Sequence, residues 1–210
     1  MTSSSNSNAG SKPGIDFYFD FTSPFGYLAS ERIEALAAAH QRVVHWKPLV
    51  LGFIFKVTGS QPLVNHPLKG EYSIMDIQRS AREHGISYSL PSEFPVGTVA
   101  AARAALWLEQ AHPELQSDFI HAAYRQYFIS GNNLSEPAVV LDAAAAAGID
   151  REELASALGD DTVKALLKQA TETAIERGVF GSPTMIVDGE MFWGHDRMEQ
   201  LDRWLSRGGW

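Results

Sequence analysis

Apolar and polar side chains alternate near the start of the chain, which predicts a β-strand. The apolar positions are Ile15, Phe17, Phe19 and Phe21, and the positions between them are Asp16, Tyr18 and Asp20. Apolar residues then recur at helical spacing as far as Ala39, after a Ser23 that suits a cap and a Pro24 that suits the first turn. Residues 43–46 predict a second strand, ended by Pro48. We expect a β-α-β unit with parallel strands and a right-handed crossover.

The middle of the chain predicts helices and almost no strands. Helical periodicity, capping residues and terminal glycines give predicted helices at 71–84, 97–111, 113–130, 135–147, 151–158 and 160–178. Strand patterns return at 184–187 and 190–193, on either side of an Asp188-Gly189 hairpin turn, and a last helix is predicted at 196–205.

This order of elements predicts an α/β fold whose sheet is split by a large all-helical insertion. We expect the α/β domain to comprise residues 15–60 and 179–208, with the insertion at 61–178. Residues 1–14 are rich in Ser, Asn and Gly and contain no apolar signal region, so we interpret them as a disordered tail.

Charge and composition narrow the classes of function. The net charge of −8 and the lack of a Lys/Arg cluster argue against nucleic acid or an anionic membrane as the main partner. No apolar run reaches the roughly 20 residues that span a bilayer, and we predict a cytoplasmic location. The chain contains 0 Cys, so it has no disulfide, thiolate metal ligand or Cys nucleophile of its own. Any thiol chemistry needs an external thiol.

The Ser23-Pro24 pair lies where the first strand gives way to a helix. The first N–H groups of a helix lack intrahelical partners and the helix dipole is positive there, so an anion is stabilised at this place. Ser is a weak nucleophile without a base, and no Gly-x-Ser-x-Gly motif is present. Donation of a hydrogen bond to a bound thiolate is therefore one interpretation, and simple helix capping is the other. Ser182-Pro183 before the third strand is likewise either a site element or an ordinary turn.

Five segments together resemble a known family. They are residues 19–25 (FDFTSPF), 59–62 (GSQP), 69–72 (KGEY), 178–184 (GVFGSPT) and 192–197 (FWGHDR). With them, residues 15–205 resemble 2-hydroxychromene-2-carboxylate isomerases, glutathione-dependent enzymes of the kappa-class glutathione transferase type. The resemblance implies a thioredoxin-like fold with a helical insertion, related to bacterial disulfide oxidoreductases, and a homodimer. Ser23 and Gly26 occupy the positions of the two Cys of the redox relatives, which favours binding of an external thiol.

The resemblance also implies roles for individual residues. Ser23 is the expected catalytic residue and contacts the sulfur of glutathione. Ser182, before a cis Pro183, is expected to pair its backbone with the cysteinyl unit of glutathione. Lys69 is expected to bind the glycyl carboxylate, although an exposed lysine at a helix start is the simpler alternative. Ser60 stands where the family usually has Asn, and it has fewer donors and a shorter reach.

His195 and Asp196 are implied to hold the γ-glutamyl end of glutathione. For Asp196 the alternative is an N-cap of the last helix, and for His195 a contribution of its backbone alone. The predicted pocket for a small aromatic carboxylate substrate is lined by Phe25, Trp46, Lys47, Phe53 and Trp193; for the tryptophans a place in the core is the alternative. No residues suggest a metal site, because Asp160 and Asp161 suit a helix start.

The implied reaction is cis/trans isomerisation of 2-hydroxychromene-2-carboxylate to trans-o-hydroxybenzylidenepyruvate, a step of naphthalene-type aromatic degradation. Two other functions share the predicted fold. A general glutathione transferase would use the same thiolate site and differ only in the acceptor pocket. A non-catalytic thioredoxin-like protein would bind a ligand without turnover.

Overall fold

The computed structural model describes residues 14–210. The predicted disordered tail therefore lies outside the described residues, apart from Gly14, which begins the first strand. The strands are β1 (Gly14–Phe19), β2 (Val43–Pro48), β3 (Thr184–Val187) and β4 (Glu190–Trp193). The helices are α1 (Pro24–Ala39), α2 (Leu51–Thr58), α3 (Lys69–Glu83), α4 (Val99–Ala111), α5 (Gln116–Phe128), α6 (Pro137–Ala146), α7 (Arg151–Gly159), α8 (Asp161–Glu176) and α9 (Met198–Arg207).

The four strands form one mixed sheet in the order β2-β1-β3-β4. β1 pairs in parallel with β2 and antiparallel with β3, so that Phe17 lies opposite both Trp46 and Met185. β4 returns antiparallel to β3 across the Asp188-Gly189 turn. The order matches the β-α-β and β-β-α units expected from the sequence, and the helices α3 to α8 lie between them along the chain.

The structure differs from the sequence expectation in one whole helix and in the bounds of several others. Helix α2 was not predicted, because the segment is rich in aromatic and β-branched residues of low helix propensity, such as Phe53, Phe55 and Val57. Helix α3 begins at Lys69, two residues early. The last helix begins at Met198, after a short 3₁₀ turn at His195–Arg197.

The first strand also ends earlier than its alternating pattern suggested, at Phe19 rather than Phe21. Asp20, expected on the polar face of a longer strand, is therefore in a turn and only 1% exposed. This departure places a carboxyl group inside the protein, directly before the Ser23 turn.

The hydrophobic core is continuous between the sheet and the helical block. Phe19 and Phe21 of the first β-α unit lie 5.9 and 5.1 Å, by ring centroids, from Tyr124 of α5. Phe21 also contacts Phe119, and all these rings are fully buried. Burial of such large aromatic surfaces is a strong contribution to folding, so the helical block is held firmly against the sheet beside the start of α1.

Among the described residues, no helix is both long enough and apolar enough to cross a membrane.

Candidate active site

Ser23 is the N-cap of α1, in an extended conformation with φ −87° and ψ 111°. Its hydroxyl oxygen accepts a hydrogen bond from the Gly26 N–H at 3.0 Å, and its hydroxyl donates to the Ser182 carbonyl at 3.0 Å. The structure therefore shows the capping role that the sequence left open. The same hydroxyl lies at a cavity wall, and rotation away from the Ser182 carbonyl would turn its proton towards a ligand.

Ser182 follows the helical block, 159 residues after Ser23 in the sequence, and lies next to Ser23 in the structure. The Ser182–Pro183 peptide bond is cis, in agreement with what the resemblance implies. The Ser182 hydroxyl accepts a hydrogen bond from the Asp20 N–H at 3.1 Å, and the Pro183 carbonyl accepts one from the Gly194 N–H at 3.0 Å. The two sequence segments singled out above are thus joined by direct hydrogen bonds.

A cavity of about 230 Å³ opens beside Ser23 and Ser182, and its walls are mainly apolar. The aromatic side chains in its walls are Phe25, Phe55, Phe94, Phe180 and Trp193. Phe180 and Trp193 contact each other edge-on, with ring centroids 4.9 Å apart. Such walls suit a flat, apolar group next to the Ser23 hydroxyl.

Five of the residues selected from sequence line this cavity: Ser23, Phe25, Ser60, Ser182 and Trp193. Three of its aromatic residues were missed, Phe55, Phe94 and Phe180. Phe55 lies on the unpredicted helix α2, and Phe94 lies in the loop before α4, next to a second cis proline, Pro95. Phe180 is part of the 178–184 segment, so its position next to Ser182 was an available signal.

A second cavity of about 430 Å³ adjoins the first. The two cavities share Thr22, Leu51, Phe55 and Ser60 among their lining residues. Lys56 is a basic residue at the wall of the second cavity. The site therefore offers two neighbouring spaces, which suits a reaction with two ligands.

His195 lies directly behind Phe25 rather than in the cavity wall. The two rings stack almost in parallel, with centroids 4.8 Å apart and planes 3° apart. Burial lowers the pKa of His195, although the nearby Asp196 opposes that shift, so the imidazole is neutral at neutral pH. Within residues 14–210, its Nδ1 is buried and has no hydrogen-bond partner.

The remaining predicted glutathione contacts are not among the residues that line the cavity. Asp196 is exposed and hydrogen-bonded to Arg197 at 3.0 Å, in the 3₁₀ turn that precedes α9. The residue at the N-cap of α9 is Arg197, so capping of that helix is not the role of Asp196. Lys69 is exposed at the start of α3, as its simpler alternative stated, and Pro183 follows Ser182 at the entry to β3.

Three predicted pocket residues lie away from both cavities. Trp46 is 4% exposed and packs edge-on against Phe17 in the core, because its side chain is on the inner face of the sheet. The Lys47 ammonium is 2.7 Å from Glu109 in an ion pair. Phe53 is 48% exposed, since it lies on the outer face of α2. For these three residues the structure does not support a place in the pocket wall.

Comparison with known proteins identifies the family of this chain. The family described as DSBA-like thioredoxin domain matches residues 14–206. The chain belongs to this family. The match covers nearly all described residues and confirms the thioredoxin-like fold with its helical insertion.

The similar proteins include the 2-hydroxychromene-2-carboxylate isomerase of Pseudomonas putida, which is 30% identical over 92% of this chain and 94% of its own. The glutathione S-transferase kappa 1 of Rattus norvegicus is 26% identical over 91% of this chain and 92% of its own. A solved structure of a 2-hydroxychromene-2-carboxylate isomerase superimposes with a TM-score of 0.81 at 27% identity, covering 92% of this chain and 94% of that one.

These relatives confirm the resemblance to the isomerase family that the sequence motifs indicated. Both curated relatives are named as enzymes, and the chain spans almost their whole length. The similarity therefore supports an enzyme rather than a binding module. The proposed division into residues 15–60 with 179–208, and 61–178, stays a prediction.

Proposed function

We propose that this protein is a glutathione-dependent isomerase that converts 2-hydroxychromene-2-carboxylate to trans-o-hydroxybenzylidenepyruvate. The observation that carries the proposal is the junction of Ser23 with the cis Ser182–Pro183 segment, beside an aromatic-lined cavity. The chain contains 0 Cys, so a bound external thiol would have to supply any sulfur chemistry at this site. The similarity to isomerases over nearly the whole chain supports the same choice.

The residues present fit glutathione in two respects. The Ser23 hydroxyl and the N-terminus of α1 together offer a directed donor and a positive dipole, which suit a thiolate. Ser182 lies at the cavity wall directly before the cis Pro183, where its backbone would be placed to pair with the cysteinyl unit of glutathione. Bound glutathione would supply a thiolate that adds reversibly to the conjugated double bond, so that the bond rotates and is then restored.

The protein's own residues would orient the bound glutathione and stabilise its thiolate. Ser23 would donate its hydroxyl proton to the sulfur, at the expense of its bond to the Ser182 carbonyl. The backbone of Ser182, before Pro183, would then be free to pair with a peptide as an added strand does. We propose that His195 and Asp196 hold the γ-glutamyl end, and that Ser60 and Lys69 hold the glycyl end.

The aromatic walls support a planar substrate. Phe25, Phe94, Phe180 and Trp193 surround the space next to Ser23 and would exclude water from the reacting bond. We therefore propose a small aromatic carboxylate as the substrate, as in naphthalene-type degradation. The cytoplasmic location stays a prediction.

We also propose a homodimer. Leu68, Tyr72 and Met75 are exposed at successive turns of one face around the start of α3, and Leu68 is 89% exposed. An apolar stripe of this kind is typical of a surface that a partner covers. Sedimentation of the purified protein tests this proposal, and a mass of one chain at micromolar concentration would contradict it.

The first test of the proposed function is the absorbance change of 2-hydroxychromene-2-carboxylate with purified protein, with and without glutathione. We expect fast conversion to the trans pyruvate only in the presence of glutathione. Conversion that does not depend on glutathione would overturn the thiolate mechanism, and no conversion despite glutathione binding would overturn the assigned substrate.

A general kappa-like glutathione transferase is the second candidate. The observation in its favour is the similarity to the rat kappa 1 enzyme, together with a second cavity next to the first. Turnover of a generic aryl halide, with a glutathione adduct released as product, would favour this candidate. The absence of any glutathione binding would favour a non-catalytic protein instead.

A further inference from the structure

Asp20 is a buried carboxyl group with no role in the site described so far. It is 1% exposed and lies at the end of β1, three residues before Ser23. Among the ion pairs of residues 14–210, none involves Asp20. A buried acid without a cation is costly unless its oxygens accept strong hydrogen bonds.

The carboxyl group of Asp20 joins three separate segments. One oxygen accepts hydrogen bonds from the Thr22 N–H at 2.9 Å and from the Thr98 hydroxyl at 2.5 Å. The other oxygen accepts one from the Leu51 N–H at 2.7 Å. Leu51 is the first residue of α2 and Thr98 is the N-cap of α4, so a backbone N–H at the start of one helix and a side-chain hydroxyl at the start of another bond to this carboxyl group.

The backbone of Asp20 is bonded to both serines of the site. Its carbonyl accepts from the Ser23 N–H at 2.9 Å and from the Tyr124 hydroxyl at 3.2 Å. Its N–H donates to the Ser182 hydroxyl at 3.1 Å. Through side chain and backbone together, Asp20 contacts the turn that carries Ser23, the segment before the cis proline, and the helices that border the two cavities.

No other side chain of this size can replace these bonds. An asparagine keeps one acceptor oxygen, but its amide NH₂ would face a backbone N–H, donor against donor. An apolar residue would leave the Thr22 N–H, the Leu51 N–H and the Thr98 hydroxyl buried without partners. The chemistry of the three donors therefore requires a carboxyl group at this position.

We propose that Asp20 is a positioning residue that holds Ser23 and Ser182 in the arrangement that binds the glutathione sulfur. The inference rests on the proposed function. Asp20 is not among the residues that line the cavity next to Ser23, although it lines the adjoining second cavity, and it acts on Ser23 through its bonds to Thr22, Ser23 and Ser182. A loss of its bonds would displace the Ser23 hydroxyl and the N-terminus of α1, and misplacement by about 1 Å can lower a rate about a hundredfold.

The sharpest test uses Thr98, whose hydroxyl donates to Asp20. Substitutions at this residue can remove the hydroxyl or retain it. Thr98→Val keeps the volume and removes the hydroxyl, whereas Thr98→Ser keeps the hydroxyl and removes a methyl group. Thr171→Val is the matched control, since Thr171 is a buried threonine in α8 whose hydroxyl donates to the Leu167 carbonyl, and it lines neither cavity of the site. Asp20→Asn is the direct variant.

Affinity for glutathione is measured by calorimetry, the kcat and KM of isomerisation are measured in parallel, and stability is followed by urea unfolding. We expect Asp20→Asn to weaken glutathione binding about tenfold or more and to lower kcat about a hundredfold. We expect Thr98→Val to weaken binding several-fold, Thr98→Ser to bind as the wild type does, and Thr171→Val to lose stability only.

Two different failures are distinguishable. Wild-type protein that does not bind glutathione would overturn the proposed function, and this inference with it. Normal wild-type binding, with unchanged affinity in Thr98→Val and Asp20→Asn, would overturn the inference alone. Equal loss of affinity in Thr98→Val, Thr98→Ser and Thr171→Val would also overturn it, because affinity would then follow stability rather than the Asp20 bond.

Discussion

At the scale of single residues, Ser23 serves two purposes. It caps α1 through the Gly26 N–H and, in the proposed function, donates to the sulfur of glutathione. The two purposes use different parts of one hydroxyl group, because the oxygen accepts from the helix while the proton is directed elsewhere. A substitution at this residue therefore affects stability and activity by separate mechanisms.

Replacement of Ser23 with alanine separates these mechanisms. We expect glutathione-dependent activity to fall tens- to thousand-fold, roughly as for the loss of an oxyanion donor. Stability should fall by about 1 kcal/mol, as for a lost N-cap. The matched control is Asp150→Ala, which removes a cap from α7 that accepts from two backbone N–H groups. Equal activity of Ser23→Ala and Asp150→Ala, measured as kcat/KM for glutathione, would contradict the catalytic role.

The position of a residue was predictable where neighbouring residues in the sequence determine its surroundings. Ser23 was identifiable because a strand, a serine, a proline and a helix follow one another directly. Asp20 was not, because its burial depends on the strand ending at Phe19 and on donors from Leu51 and Thr98, far away in the sequence. For Trp46 the sequence left the pocket wall and the core both open, because alternation in a strand does not reveal which face meets the core. The structure shows the core alternative.

At the scale of secondary structure elements, α1 and α5 are joined by an ionic network. The two ring nitrogens of His121 on α5 each lie 3.0 Å from a carboxylate on α1, one from Glu31 and one from Glu34. Burial alone would lower the pKa of His121, but the two hydrogen-bonded carboxylates outweigh it and raise the pKa to about 9. The imidazolium therefore stabilises the contact between the sheet-side helix and the helical block.

This network predicts how stability depends on pH. A raised folded-state pKa means that the contribution of His121 is fully present below its unfolded pKa of about 6.5 and is lost as pH rises through about 9. We expect His121→Gln to be less stable than the wild type at pH 6 and the difference to shrink towards pH 10, in urea unfolding. A difference that stays constant from pH 6 to 10 would show that the charge of His121 contributes nothing.

The carboxylates provide the matched control. The pKa of Glu31 is lowered despite its burial, by hydrogen bonds to His121 and Arg125, and the pKa of Glu34 is lowered mainly by its bond to His121. Their contributions are present above the unfolded pKa of about 4.5 and are lost as pH falls through the lower pKa values of the folded state. In a Glu31→Gln, Glu34→Gln background, burial lowers the pKa of His121, so His121→Gln should no longer cost more stability at pH 6 than at pH 10.

The elements themselves were largely predictable, because caps, prolines and glycines mark most of their ends. Helix α2 was the exception, since its stability comes from the tertiary burial of Leu51 and Ile54 rather than from helix propensity. The missed helix carries Phe55 and Lys56, which line the cavities. These two residues were therefore absent from the site predicted from the sequence. Local propensity predicted the scaffold better than it predicted the walls of the site.

At the scale of the whole molecule, the helical insertion and the sheet share one core. Phe17 and Phe19 of β1, Tyr124 of α5, Leu154 of α7 and Leu201 of α9 belong to a single cluster of fully buried side chains. The insertion is therefore separate in the sequence but not in its packing. Because the cavity lies between these parts, the geometry of the site depends on both of them remaining folded together.

This shared core predicts that the two parts unfold as one unit. Leu154→Ala, in α7, removes a buried side chain far from the sheet in sequence and should lower the free energy of unfolding by about 2–5 kcal/mol. Native-state hydrogen exchange then reports each part separately. We expect the most protected amides of β1 and β3 to lose the same free energy of protection as those of α5 and α7. Loss confined to the helices would instead show that residues 61–178 form an independently folding domain, and that the site is assembled between two units rather than within one.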